Sequence, residues 1–370
     1  MQISTENTLR SLSRRQVLGN GAACATLALG TGLAGARKAL AATQELRMIG
    51  WGDYINPANI AAWENANDMS LLFDGYDDNQ QIYDRLKLTS GDDYFDIGMN
   101  TDYFFDQLIR EGVIQKLDKS LLPNTVNIPE EFLAPHYDPD NAYTIPKSLG
   151  YVGFLYDTAA ISRPMKTWGD FLEAMQNEAS GRTTLLDSDE MGLAPLFWAK
   201  DVSWNTLDEL ELQDADDRVI GLAKHVKAFK DYAEHDIRNG SVVLAQVWSG
   251  YGGRVLRNAG KPNLAYVNPS PRTCKLIDCY HIPTGARNIA GAHSWLNFVL
   301  EPATAAKEIE YVNFYAPVKG LEAYIAPAYV GDPVIFPPDD VVKRAEWTMR
   351  NASFARRAKI FEKFKNAAEM

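Results

Sequence analysis

The chain reads as an α/β protein with a mostly parallel sheet under covering helices, long enough for two lobes around a cleft. Three observations predict this. Short strand-like runs alternate with helical ones beyond residue 42. No internal repeat or low-complexity stretch interrupts that alternation. Four of the strand-like runs end on a polar-aromatic cluster, the position at which open α/β sheets hold their ligands.

Taken in order, Glu45 to Gly50 reads as a strand, and Asn56-Pro57 caps and starts a helix through Trp63. Ser70 to Phe73 is a second strand, Asn79 to Lys87 a helix and Phe95 to Met99 a third strand. Asp102 to Glu111 is amphipathic, with Phe104, Phe105, Leu108 and Ile109 on one face. Tyr151 to Tyr156 and Thr183 to Leu186 are strands, with Trp168 to Met175 helical between them. A long helix is expected from Asp216 to Tyr232, then an apolar strand from Val242 to Trp248 and another from Lys275 to Ile282. Helices follow at Ala292 to Leu300 and Thr304 to Phe314, and the tail from Asp340 to Lys365 is basic and helical.

The first forty residues read as targeting. Ser13-Arg14-Arg15-Gln16-Val17-Leu18 opens a Gly- and Ala-rich run to Gly35, and Ala39-Leu40-Ala41 supplies a small-x-small cleavage pattern. Residues 1–41 are therefore expected to be a twin-arginine signal peptide and the product to be periplasmic. The run is too broken by Gly and Thr for a membrane anchor, so the mature protein is not expected to be membrane-inserted. Whole-chain net charge is −11, and the segment before Ala42 is basic, so the remainder is more acidic still. An acidic surface disfavours nucleic acid and anionic lipid as partners and attracts cations. Cys274 and Cys279 remain after cleavage. An oxidising compartment favours bridging them, whereas five residues of strand separate them too far.

Catalytic patterns are missing from this sequence. In VWSGYGG, Val247 stands where a nucleophile elbow needs Gly. The five histidines have no zinc spacing, and no Gly-Lys-Ser/Thr follows the glycines at 250–253. Ala142 occupies a ligand position in the acidic turn Asp138 to Tyr143, against a calcium loop. We therefore expect neither an enzyme nor a metal or cofactor. Cation capture is better served: an alkylammonium needs a carboxylate and aromatic faces. Asp53 lies between Trp51 and Tyr54, and Tyr103, Trp248 and Tyr315 can complete a box. The strand exits at Asn100 to Tyr103, Asp187 to Glu190 and Trp248 to Gly250 supply further polar groups.

Five segments carry a resemblance: WGDYINP (Trp51 to Pro57), EGVIQKLDKSLLP (Glu111 to Pro123), DPDNAYTIP (Asp138 to Pro146), VWSG with the following RNAG, and NFVLEP (Asn297 to Pro302). In these the chain resembles the polyamine (spermidine/putrescine) substrate-binding proteins of bacterial ABC importers. The resemblance implies the two-lobed periplasmic binding protein fold of type II, a monomer that delivers a small amine to permease subunits. Lobe 1 would comprise 42–148 with about 279–315, and lobe 2 149–278 with about 316–370. The chain would cross between lobes near Lys147 to Val152 and Ile277 to His281, with a third pairing from Tyr315. The implied cleft positions are Asp53, Tyr54, Thr101, Tyr103, Trp248, Asp278 and Tyr315. Asp53 and Asp278 would serve as ammonium partners and Thr101 as a hydrogen-bond acceptor.

Departures from the pattern matter as much. The acid pair expected in the second lobe falls on Ser188 and Met191, an aromatic is replaced by Leu276, and Thr348 takes a polar tail position. A diamine needs a counter-charge at both ends, because a buried unpaired ammonium is costly. Asp187, Asp189 or Glu190 restores that charge through a small loop shift. Alternatively Lys147 pairs a ligand carboxylate and the solute is a zwitterionic or modified amine. The simpler expectation for Lys147 is a solvated residue at the cleft rim.

Overall fold

The computed structural model describes residues 44–88 and 93–369. The signal-peptide reading of residues 1–41 lies outside the described residues. Eleven strands run through the described chain: β1 Gln44–Trp51, β2 Met69–Tyr76, β3 Ile97–Thr101, β4 Ile114–Gln115, β5 Thr144–Asp157, β6 Thr183–Leu185, β7 Val226–Phe229, β8 Leu244–Trp248, β9 Leu264–Val267, β10 Thr273–Pro283 and β11 Ala345–Trp347. They form a continuous sheet ordered β2-β1-β3-β10-β5-β8-β6-β7, with β4 and β11 added to β10 and β9 to β5.

Two parallel triplets lie at the ends of that order. β1 pairs in parallel with β2 and β3, and β6 with β7 and β8. The antiparallel strands β5 and β10 join them. β5 pairs with β10 from Thr144 to Tyr151 and with β8 from Val152 to Tyr156, so it changes partner within one step. A third link is the bridge between Leu149 and Tyr315, whose carbonyl accepts from Leu149 N at 2.8 Å.

Each triplet builds its own core. One centres on Leu46, Met48, Trp63 and Trp295, with the two indoles edge to face at 5.7 Å. The other centres on Phe154, Trp168, Phe171 and Trp198, at centroid spacings of 5.3–5.6 Å. Ala316, Val318, Leu321, Ile325 and Ile335 pack in the first core, whereas the resemblance implied a place in lobe 2 for the chain from about 316. From the tail, Ile360, Phe361 and Phe364 do pack in the second.

Two expected elements are corrected. The long helix runs from Glu209 to Ala223, not from Asp216 to Tyr232. It starts early because Asp208 caps it, accepting from Leu210 N at 2.9 Å. Beyond it, Val226 to Phe229 is strand β7, stabilised by pairing with β6, which local periodicity does not reveal. The tail is likewise interrupted by β11 between helices Asp339–Arg344 and Phe354–Ala368. Cys274 and Cys279 are buried and unbridged. Both lie on β10, where five residues span about 16 Å. Among the described residues no helix is long and apolar enough to cross a membrane.

Candidate functional site

The carboxyl ends of β1, β2, β3, β6, β7 and β8 converge on a cavity of about 440 Å³. β1 ends at Trp51, and the chain turns through Asp53 at a left-handed φ of 54°, which a short polar side chain tolerates. Asn56 then caps the helix Pro57–Asn67 by accepting from Ala58 N at 2.9 Å. The turn places Tyr54 against β10, where its hydroxyl donates to Asp278 Oδ2 at 2.7 Å. Thr101, at the end of β3, sits directly opposite Asp278, and its hydroxyl donates to Oδ1 at 2.6 Å. The same hydroxyl also accepts, from Asn79 Nδ2 at 3.0 Å. The register of β10 against β5 shifts between Asp278 and Cys279, an irregularity of the kind that re-aims a side chain.

Asp278 is 6% exposed. Burial raises its pKa, and the hydrogen bonds from Thr101 and Tyr54 and the charge of Lys147 partly offset that. The Trp51 indole N–H faces the same carboxylate without reaching hydrogen-bond geometry. Asn79, which the sequence did not single out, organises the wall. Its amide donates to Thr101 Oγ1 at 3.0 Å and Tyr103 Oη at 2.9 Å, and its carbonyl accepts from Thr101 N at 2.9 Å.

Lys147 is not at the rim. It is 4% exposed on β5, with its ammonium 3.2 Å from Glu308 Oε1 and 3.8 Å from the centre of the Tyr54 ring. Nearly the whole of β5 is covered on both faces, so an ammonium there must find a buried anion. Glu308 also accepts from Asn56 N at 3.1 Å and Asn59 Nδ2 at 2.9 Å. The pair thus stands behind Tyr54, outside the cavity lining.

Opposite, the helix Ser249–Asn258 begins immediately after β8. Trp248, Tyr251 and Arg254, spaced by three, present one face of this segment to the cavity. The Trp248 indole N–H donates to Asp231 Oδ1 at 3.1 Å. Burial pushes the Asp231 carboxyl up to about 7, and neighbouring Asp187, Asp77 and Glu190 add to that rise. At the exit of β6, Glu190 accepts from Arg350 at 2.8 Å and Asp187 pairs with Lys365. Arg350 also lies 3.9 Å from the centre of the Phe104 ring. Ser188 and Asp189 line the cavity beside them.

Of the expected residues, Trp51, Asp53, Tyr54, Thr101, Tyr103, Trp248, Asp278, Leu276 and Asp187 to Glu190 line one cavity. Asp53 is already matched, by Arg254 at 2.5 Å and by the Tyr311 hydroxyl. Partial burial acts upward on it, yet Tyr311 and Arg254 hold its pKa below the usual range. Tyr315 does not line the cavity. Its ring packs on Phe132 and Phe336, and its neighbour Phe314 faces inward, edge-on to Tyr54 at 5.6 Å. Met191 is fully buried in the second core, and Thr348 is buried outside the lining. Asp231, Arg254, Arg350 and Lys365 were missed. Asp231 follows the strand that the sequence read as helix, so the strand-exit rule had nothing to act on there.

The lining holds eight carboxylates, Asp53, Asp77, Asp78, Asp187, Asp189, Glu190, Asp231 and Asp278, against three cations, Arg254, Arg350 and Lys365. No grouping of three or more His, Cys, Asp or Glu able to hold a metal ion occurs among the described residues.

Comparison with known proteins agrees with this architecture. The chain is 28% identical over 303 residues to the spermidine/putrescine-binding periplasmic protein of Escherichia coli (strain K12), covering 80% of this chain and 84% of that protein. It is 27% identical over 321 residues to the putrescine-binding periplasmic protein PotF of the same organism, covering 82% and 86%. Its fold matches that of the spermidine/putrescine ABC transporter substrate-binding protein PotD from Streptococcus pneumoniae with a TM-score of 0.76. Identity is 24%, over 88% of this chain and 100% of the other. The fold is therefore the two-lobed α/β fold of periplasmic binding proteins. Residues 73–306, well over half the chain, match the family of bacterial extracellular solute-binding proteins, and the chain belongs to that family.

Proposed function

We propose that this protein is the periplasmic solute-binding subunit of an ABC importer, capturing a putrescine- or spermidine-like polyamine and delivering it to membrane permease subunits without chemical conversion. The observation that carries the proposal is Asp278: a buried carboxylate on the cavity, hydrogen-bonded among the described residues by the neutral hydroxyls of Tyr54 and Thr101. A cation placed there gains a charge-assisted bond and aromatic contact without displacing another cation. The excess of acids in the lining and the polyamine-binding relatives support the same reading. Arg254 and Arg350 on the cavity favour one second reading, a small zwitterionic or modified amine whose carboxylate competes for a guanidinium.

A melting series with putrescine, cadaverine, spermidine, spermine, amino acids and betaines tests both. Ligand at a hundred times its dissociation constant adds about 2.7 kcal/mol, a shift on the order of 5 °C for a chain of this size. The expected result is a rise with a polyamine. A rise with zwitterions alone selects the second reading, and no rise with any amine discards the first.

A further inference from the structure

The second wall repeats, with different residues, the device that holds Asp278. On the first wall an aromatic hydroxyl anchors one carboxylate oxygen, from Tyr54 to Asp278 Oδ2 at 2.7 Å. On the second an indole N–H does so, from Trp248 to Asp231 Oδ1 at 3.1 Å. All four side chains line the same cavity. Each pair combines what an alkylammonium needs: an oriented carboxylate with oxygen lone pairs to spare and an aromatic face beside it.

Two of the other acids on that wall are occupied, and Asp189, although it lines the cavity without an ion pair, has no hydrogen bond among the described residues to orient it as Trp248 orients Asp231. Asp187 is matched by Lys365 and Glu190 by Arg350. Met191, where the resemblance placed an acid, is sealed in the core. Asp231 has no ion-pair partner among the described residues, and a negative charge left so on a desolvated wall is costly unless a cation arrives.

Building on the amine-capture reading, we propose that Asp231, oriented by Trp248, anchors a second ammonium, so that the solute is a diamine or longer cation spanning Asp278 and Asp231. The acid expected on the β6 exit is thus replaced by one on the exit of β7. Specificity for two charges over one then rests on a residue outside the expected positions.

Calorimetric titration of the purified protein with putrescine and with n-butylamine, which keeps the carbon chain and one ammonium, tests this. The wild type is expected to bind putrescine at least tenfold more tightly than butylamine. Asp231→Asn keeps the shape and still accepts the Trp248 N–H; it should weaken putrescine at least tenfold and butylamine less than threefold. Asp278→Asn should weaken both. Equal weakening of both amines by Asp231→Asn would make Asp231 a mere prop for Trp248 and overturn the proposal. So would a loss of diamine preference in Asp189→Asn that Asp231→Asn does not reproduce. Tight putrescine binding that survives Asp231→Asn refutes this inference alone, whereas a wild type that binds neither amine refutes the amine-capture reading with it.

Discussion

Strand β10 and the exit of β6 treat their cavity carboxylates differently. On the first, Asp278 is buried and bonded to neutral hydroxyls, and the nearest ammonium, Lys147, is committed to Glu308 behind Tyr54. On the second, Asp187 and Glu190 carry their own cations, and the Asp187–Lys365 pair is substantially exposed, at 42% and 35% of the side chains. An acid at a strand exit serves a cationic solute only if no resident cation has cancelled it, and burial sets how much energy that choice involves.

The largest expected effect comes from behind the first wall. Lys147→Met leaves Glu308 buried without its cation and should cost about 3–5 kcal/mol of stability. Denaturant unfolding measures it, and a loss below about 1 kcal/mol would show that this wall does not depend on the pair. Acid should act on the same wall. His281 lies three residues beyond Asp278 on β10, fully buried, with Nε2 3.0 Å from Asn100 Oδ1. Burial pushes its pKa down to about 3, below the ordinary histidine value of 6.5. Between those values the unfolded chain binds a proton that the folded one refuses. This residue's share of the stability is therefore whole above 6.5 and lost as pH falls, at about 1.4 kcal/mol per unit. Unfolding from pH 6.5 to 4 should show that slope, and His281→Gln should flatten it; an unchanged slope in the variant would assign the acid sensitivity elsewhere.

Smaller effects separate the walls by ligand. Asp278→Ala should weaken amine binding more than tenfold, about 1.4 kcal/mol, and unchanged affinity would remove Asp278 from the site. Trp248→Ala should cost a similar amount through lost cation–π contact and burial, and undiminished binding in a titration would leave it a structural role. Least of all, Lys365→Gln breaks an exposed pair and should alter stability by less than about 1 kcal/mol. If thermal unfolding shows several times that, the second wall is held together by its charges as firmly as the first.

Much of this site was legible in advance. Trp51, Tyr54 and Thr101 lie in segments whose caps and alternation are local, and the strand-exit rule brought them together, whereas Asp278, inside β10, came only with the family resemblance. Asp231 escaped because the local pattern from Asp216 onward imitates a helix, and only the pairing of β7 with β6 reveals the exit. Tyr315 packs outside the cavity while its neighbour Phe314 lines it, a difference of one residue that no local pattern fixes.

By itself the sequence determined the alternation of strands and helices, the polar-aromatic strand exits and the acidic excess, since each depends on residues within a turn or two of one another. Only the tertiary structure decided which charges remain available. Lys147 meets Glu308 across 161 residues, and Glu190 meets Arg350 across 160. Partners so distant are chosen by how two cores pack against a shared pair of strands. No local pattern encodes that choice, and in a low-dielectric cleft it decides which carboxylate a solute can use.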